Sequence, residues 1–281
     1  TAMHVAALEA VEKDLVPALE TLRDELEAKE EAFDGVVKTG RTHLQDATPV
    51  RLGQEFGGFR TQVEKGIERL ASVRPRLEEL ALGGTAVGTG LNTDPEFPEL
   101  AAEYIAEETG LGFREADDHF EAQAAHDAMS EAHGPLRVVA GSLNKIANDL
   151  RLLASGPRNG LGEIEQPENQ PGSSIMPGKI NPVVAEAVNQ VHKQVVGNDA
   201  AVSAGAAEGQ IDLNLYKPVI AHNFLESAEL LANSSTTFAE KFVAKLEANE
   251  EHCEAQVERS MALATALNPA IGYDKASKVA K

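Results

Sequence analysis

MSEAHGPLRVVAGSLNKIANDLRLL, residues 129–153, carries apolar side chains at Met129, Ala132, Leu136, Val139, Leu143, Ile146, Leu150 and Leu153. The intervals alternate between three and four throughout. That is the spacing of a stripe along one helix face that buries itself against other helices. Gly134-Pro135 falls inside the run and predicts a kink there, because proline removes an amide donor and crowds the preceding turn. Leu8, Val11, Leu15, Ala18, Leu22 and Leu26 nearly repeat the pattern, with Pro17 as a second kink candidate. Residues 54–80, 183–202 and 218–246 read as further helices, and no alternating strand pattern of convincing length appears. The fold class expected is all-α, a bundle of long helices.

Composition fits that reading. Of the 281 residues, 42% are hydrophobic, enough for a sizeable core, whereas aromatics are 4% and Trp is absent. A core of Leu, Val, Ile and Ala suits helix-on-helix packing. The formal charge is −20, from 45 acidic and 25 basic residues. Such a field repels phosphate backbones, so no nucleic-acid partner is expected. The acidity is spread over several helices and reads as a solvated surface suited to concentrated salt, where self-repulsion is screened. The single cysteine, Cys253, cannot form an internal disulfide and reads as a packing residue in a reducing compartment. No apolar run is long enough for a membrane helix, and no signal-like start is present, so a soluble, cytoplasmic chain is expected. Thr1 opens directly into helix-like sequence and the end at Lys281 is equally abrupt, which reads as trimming at both ends.

Gly, Pro and Asn concentrate in the stretches 39–52, 82–97, 155–181 and 204–215, and function is expected on these loops. The richest is Gly172-Ser173-Ser174-Ile175-Met176-Pro177-Gly178-Lys179-Ile180-Asn181-Pro182. It places hydroxyls, a cation and an amide on one loop, which suits a small anionic substrate. A serine hydroxyl acts as a base or nucleophile only where its alkoxide is stabilised by a cation and backbone N–H groups. Lys179 would supply that cation or hold a substrate carboxylate. In Gly40-Arg41-Thr42-His43 a hydroxyl stands beside an imidazole, the side chain best suited to moving protons near neutral pH. Glu186, on the helix after Pro182, reads either as a carboxylate that orients a histidine from another segment or as an ordinary surface residue. The Gly-rich stretch 83–93 fits close backbone packing or an anion cradle, and it is no dinucleotide fingerprint because no strand precedes it. Residues 172–179 fail the P-loop spacing, which disfavours a nucleotide-binding module. His119, His126 and His133 recur at a spacing too long for zinc on one helix and are expected on the surface.

The Gly-Ser-Ser-x-Met-Pro-x-Lys-x-Asn pattern at 172–181 resembles the signature loop of the fumarase/aspartase superfamily. Residues 39–57, 82–93, 145–157 and 167–182 are similar to class II fumarases, as are Gly197-Asn198-Asp199, 214–218 and 266–281. The resemblance implies an all-helical homotetramer whose long central helices form a shared bundle, with sites assembled from three subunits. It implies a central bundle domain over 1–250 and the start of a small C-terminal helical domain over 251–281, with the family's N-terminal domain absent. It implies reversible hydration of fumarate, a small dicarboxylate, to L-malate without metal or organic cofactor. By motif, Ser173 is the expected base. Thr42, Ser174, Lys179 and Asn181 are expected substrate contacts, and His43 is the expected water-side proton carrier with Glu186 as its partner. Aspartate ammonia-lyase remains a rival within the superfamily, although it typically has Gln where His43 stands. A non-catalytic scaffold with a lyase fold is the alternative of another class. From the charge alone, the thermal midpoint should rise as KCl is raised to molar concentration; a midpoint indifferent to salt in a melting series would remove the screening argument.

Overall fold

The computed structural model describes residues 1–170 and 172–280, with Ala262 in its backbone only. Pro171, within the 155–181 loop, and Lys281, at the end of the expected C-terminal domain, lie outside the described residues. In chain order the elements are α1 (Ala2–Glu9), a π-helical turn (Ala10–Leu15), α2 (Val16–Ala32), β1 (Val37–Thr42), β2 (Gln45–Arg51), α3 (Leu52–Leu77) and β3 (Glu79–Leu80). There follow α4 (Phe97–Thr109), β4 (Arg114–Glu115), α5 (His119–Ala124), α6 (Asp127–Leu153), β5 (Ile164–Glu165), α7 (Val183–Ala207) and α8 (Lys217–Lys241). The chain closes with β6 (Glu247–Ala248), α9 (Glu250–Arg259), a 3₁₀ segment (Met261–Leu267), α10 (Asn268–Ile271) and α11 (Tyr273–Val279). The fold is all-α, built on long helices. The helices expected over 54–80, 183–202 and 218–246 are present as α3, α7 and α8, with shifted ends.

The chain divides into two compact units. One comprises 1–21, 63–145 and 187–236; the other comprises 22–62, 146–186 and 237–281. In the first unit, Met129, Ala132, Leu136, Val139 and Leu143 of α6 are all buried, as are Leu8, Val11, Leu15 and Ala18. Val188, Val195 and Val202 of α7 and Ile220, Phe224 and Leu231 of α8 are buried in the same unit. Each large side chain removed from water contributes about 1.5–3 kcal/mol, and the continuous stripe makes these gains collective. α6 continues through Gly134-Pro135 without a break in helix. The π-helical turn ends two residues before Pro17, and a widened turn is one way to accommodate a proline that cannot donate to the ladder.

The histidines depart from the expected surface stripe. They do not share one helix: His119 opens α5, His126 lies between α5 and α6, and His133 lies within α6. His133 is fully buried; its Nδ1 lies 2.9 Å from Asp199 Oδ1 and its Nε2 2.9 Å from Ser227 Oγ. Asn198 Nδ2 donates to the same Ser227 oxygen at 3.0 Å, and Arg137 Nε lies 3.1 Å from Asp199 Oδ2. A buried polar network joining α6, α7 and α8 therefore stands where polarity suggested solvent. His126 is 4% exposed, with no hydrogen-bond partner at either ring nitrogen among the described residues, and it lines a cavity of about 430 Å³. The Gly-rich stretch takes the packing reading, since a Cβ on Gly84 would overlap Gln123 Oε1.

The second unit holds the rest of the α6 stripe, Ile146, Leu150 and Leu153, with Leu22, Leu26, Leu52, Phe238, Phe242 and Leu246, all buried. Phe33, Phe56 and Phe59 meet edge to face, with ring centroids 5.1 and 5.7 Å apart. Asn249 caps α9 through its side-chain oxygen, which accepts from His252 N at 3.4 Å. Here β1 and β2 form an antiparallel hairpin, where the sequence reading expected loop and no strand. Burial along β1 does not alternate, because Lys38, Thr39 and Gly40 are consecutively buried, so the period-2 signal is missing.

Burial first, and then the Lys217 ammonium, push the His126 imidazole down to about 4. The folded protein thus keeps His126 neutral where an unfolded chain, titrating near 6.5, takes up a proton. Stability should fall as pH drops from about 6.5 towards 4, by ~3 kcal/mol from this residue. Urea unfolding of His126→Gln beside the parent over that range should show a flatter pH dependence in the variant.

Candidate functional site

All seven sequence-predicted site residues fall in the second unit: Thr42, His43, Ser173, Ser174, Lys179, Asn181 and Glu186. The 172–182 loop closes on itself. Ser173 N donates to Lys179 O at 3.2 Å, and Lys179 N donates to Met176 O at 3.2 Å. Gly172 is required by this closure, because a Cβ there would overlap Lys179 O. Within the loop the Ser173 hydroxyl oxygen accepts from the backbone N–H of both Ile175 and Met176, each at 3.2 Å. Two fixed donors at one hydroxyl are the arrangement that favours negative charge on its oxygen. Lys179 Nζ donates to Asn181 Oδ1 at 2.9 Å, which joins the cation and the amide of the motif. Ser174, Lys179 and Asn181 are exposed, as is Ile175 at 84%.

Thr42 and His43 sit at the tip of the β1–β2 hairpin. Thr42 pairs with Gln45, and the intervening His43 and Leu44 have φ of 54° and 59°. Positive φ at both central residues is the type I′ turn that matches the twist of a two-residue hairpin. The turn presents the His43 side chain to solvent, and among the described residues it makes no hydrogen bond. Glu186 lies in the first turn of α7, with its Oε1 3.5 Å from Arg151 Nη2. Within one chain, then, Ser173, Lys179 and Asn181 share a loop, Glu186 faces Arg151, and His43 is not joined to Glu186. A cavity of about 480 Å³ borders the loop, lined by Arg151, Ile164, Gln166, Lys179, Ile180 and Glu186 among others. Its two cations, Arg151 and Lys179, share the lining with two carboxylates, Glu165 and Glu186.

Beneath the hairpin lies a charge cluster that sequence reasoning did not single out. Glu163 is fully buried; its Oε1 is 2.5 Å from Arg41 Nη1 and its Oε2 is 3.1 Å from Lys38 Nζ. Lys38, 1% exposed, also reaches Glu55 Oε1 at 2.8 Å, and Arg41 Nη2 donates to Gln256 Oε1 at 2.8 Å. The one available signal was position: Lys38 and Arg41 flank the glycine of the motif that carries Thr42 and His43. Cys253 is buried beside Glu163, its Sγ 3.6 Å from Glu163 O, and burial pushes the thiol up to about 11. It is a packing residue, as expected, and no thiolate nucleophile near neutral pH. Among the described residues no group of His, Cys, Asp or Glu is arranged to hold a metal ion, and no helix is long and apolar enough to cross a membrane.

The Gly172 requirement makes a direct expectation. Gly172→Ala should open the loop closure, so that amide exchange at Ser173 speeds at least about tenfold by NMR while the buried amides of α6 keep their protection.

A lyase family model matches residues 1–197. The class II fumarate hydratase of Halobacterium salinarum is 84% identical over 281 residues, covering 100% of this chain and 60% of that protein. The class II fumarate hydratase of Nitrosomonas europaea is 55% identical, covering 100% of this chain and 61% of its own length. The chain therefore spans about three-fifths of the curated relatives it matches. Among solved structures, a class II fumarase from Schistosoma mansoni superposes with a TM-score of 0.97 at 39% identity, covering 100% of this chain and 62% of that one. A fumarate lyase:delta crystallin from Brucella melitensis, bound to cobalt, superposes with a TM-score of 0.95 at 45% identity, covering 99% of this chain and 60% of that one.

Proposed function

Because the chain belongs to the lyase family, we propose that the protein is a class II fumarate hydratase that adds water reversibly to fumarate to give L-malate. The observation that carries this reading is the Ser173 hydroxyl oxygen, which accepts two backbone N–H donors on the loop that also bears Lys179 and Asn181. In the malate-to-fumarate direction the Ser173 alkoxide takes a proton from the carbon next to a carboxylate and becomes the neutral hydroxyl. The electron pair of that C–H bond moves into the carboxylate, giving a dianionic aci-carboxylate. Its collapse forms the carbon–carbon double bond and expels the hydroxyl on the neighbouring carbon, which leaves as water after taking a proton from the His43 imidazolium. Thr42, Ser174, Lys179 and Asn181 bind and orient the substrate carboxylates, and Lys179 offsets the charge that develops. Hydration runs the same steps in reverse.

His43 stands exposed on its turn and Glu186 faces Arg151 in the same chain. We infer that His43 and Glu186 meet between copies, in composite sites of a homotetramer whose long helices share one bundle. Partly exposed apolar side chains on these helices support such an assembly, Val138 at 40%, Val196 at 44% and Val219 at 40%. The same reading takes residues 1–250 as part of the central domain, 251–281 as the start of a C-terminal domain, and the cytoplasm as the location.

NMR of the full-length protein in concentrated KCl, offered fumarate and ammonium together, should show malate and no aspartate; aspartate would make it an ammonia-lyase. Ser173→Ala should lower turnover at least about 10³-fold, equivalent to ~4 kcal/mol of barrier, in a fumarase assay that follows absorbance. Near-parental turnover would remove Ser173 from the role of base.

A further inference from the structure

We propose that Glu163 is a positioning residue that clamps the hairpin carrying Thr42 and His43, an inference that rests on the proposed hydratase reading only for its kinetic consequence. Lys38 and Arg41 are three residues apart on β1, and on a regular strand residues at that separation point to opposite faces. The β1–β2 register shifts between Thr39 and Arg41, and this irregularity brings both cations to one carboxylate. Each oxygen of Glu163 then faces a different strand cation: Oε1 accepts a hydrogen bond from Arg41, and Oε2, with no hydrogen-bond donor among the described residues, lies 3.1 Å from the Lys38 ammonium as an ion pair. Gly40 sits at the irregularity with its Cα close under the opposite strand, where a Cβ would lie 2.6 Å from Thr48 O.

Glu163 is itself fixed from both directions. Its N–H donates to Leu153 O, at the end of α6, at 2.9 Å, and its carbonyl accepts from Asn249 N, the α9 cap, at 2.9 Å. Gln256 of α9 holds the far nitrogen of Arg41. The clamp therefore ties the hairpin to two helices one residue before Thr42. Glu163 is fully buried, so no solvent replaces its carboxylate: its removal leaves buried Lys38 with Glu55 as its one remaining carboxylate partner among the described residues and leaves Arg41 Nη1 with the Thr39 carbonyl alone. The nearest way out is displacement of the strand. Since the His43 side chain makes no hydrogen bond among the described residues, its position on the positive-φ turn is inherited from this anchor.

The test is Glu163→Gln in the full-length protein, read by amide exchange and by kinetics. Exchange should speed at least about tenfold at residues 41–45 while the buried amides of α6 and α7 stay protected. The kcat should fall at least about 100-fold while fumarate KM rises by much less, because of the proposed carboxylate contacts only Thr42 lies on the hairpin and Ser174, Lys179 and Asn181 keep their loop. Uniform loss of protection, or a folded variant with parental exchange and kcat, overturns the proposal. Should Glu163→Gln fail to fold, Gln256→Ala decides. It keeps both ion pairs while freeing the far fork of Arg41, together with the Leu161 and His252 contacts of Gln256 on the α9 side, so kcat should fall about tenfold, by more than KM rises, and 41–45 should exchange faster. Parental values for both would sink the clamp. If the parent forms no malate, the hydratase reading fails, and the exchange pattern still decides whether Glu163 anchors the turn.

Discussion

The stripe of apolar side chains along α6 is the constraint on which the rest of the molecule depends. With so few aromatics, the protein can bury enough surface only by running long helices side by side and filling their seams with Leu, Ile, Val and Ala. Met129, Leu136, Leu143, Ile146 and Leu150 are at most 1% exposed, which leaves one face of α6 no freedom of register. The residues of the proposed site then lie at helix ends and connections. The 172–182 loop immediately precedes α7, and the hairpin immediately precedes α3.

The interior is not purely apolar, and its exceptions follow one rule. A buried ionic or polar group persists where its partners are fixed by backbone already held in place. Glu163 meets Lys38 and Arg41 because α6 and α9 hold its main chain. His133 meets Asp199 and Ser227 because α6, α7 and α8 bring them within 2.9 Å. The His133 set has the residue types of a hydrolytic triad, yet Ser227 is fully buried and its hydroxyl also donates to Asn223 O at 2.8 Å. That hydroxyl is a packing element of a helix interface, without the solvent access that a substrate requires.

The contrast with Ser173 is instructive. Ser173 lies on a closed loop at the surface, its oxygen receiving two N–H donors and its neighbours exposed. Both serines are hydrogen-bonded, but only one is held so that charge on oxygen is favoured and a substrate has room to approach. Lys179, on the same loop, supplies a cation exposed to solvent in a protein of net charge −20.

The sequence by itself determined the helices and the identity of the signature loop. A 3.6-residue period is written locally, so each apolar position of α6 could be named from its spacing. The loop was legible because Gly172, Ser173, Lys179 and Asn181 fall within a few residues of one another. The tertiary structure decided what lies across sequence. The β1–β2 hairpin escaped because Lys38, Thr39 and Gly40 are buried in succession and the turn is His-Leu in place of the usual Asn-Gly. The burial of His126 and His133, and of Lys38 against Glu163, escaped because polarity places such residues at the surface unless partners exist, and those partners lie far away along the chain. Spacing reports which face of a helix is dry, but only the packed structure decides which charges share the dry space behind it.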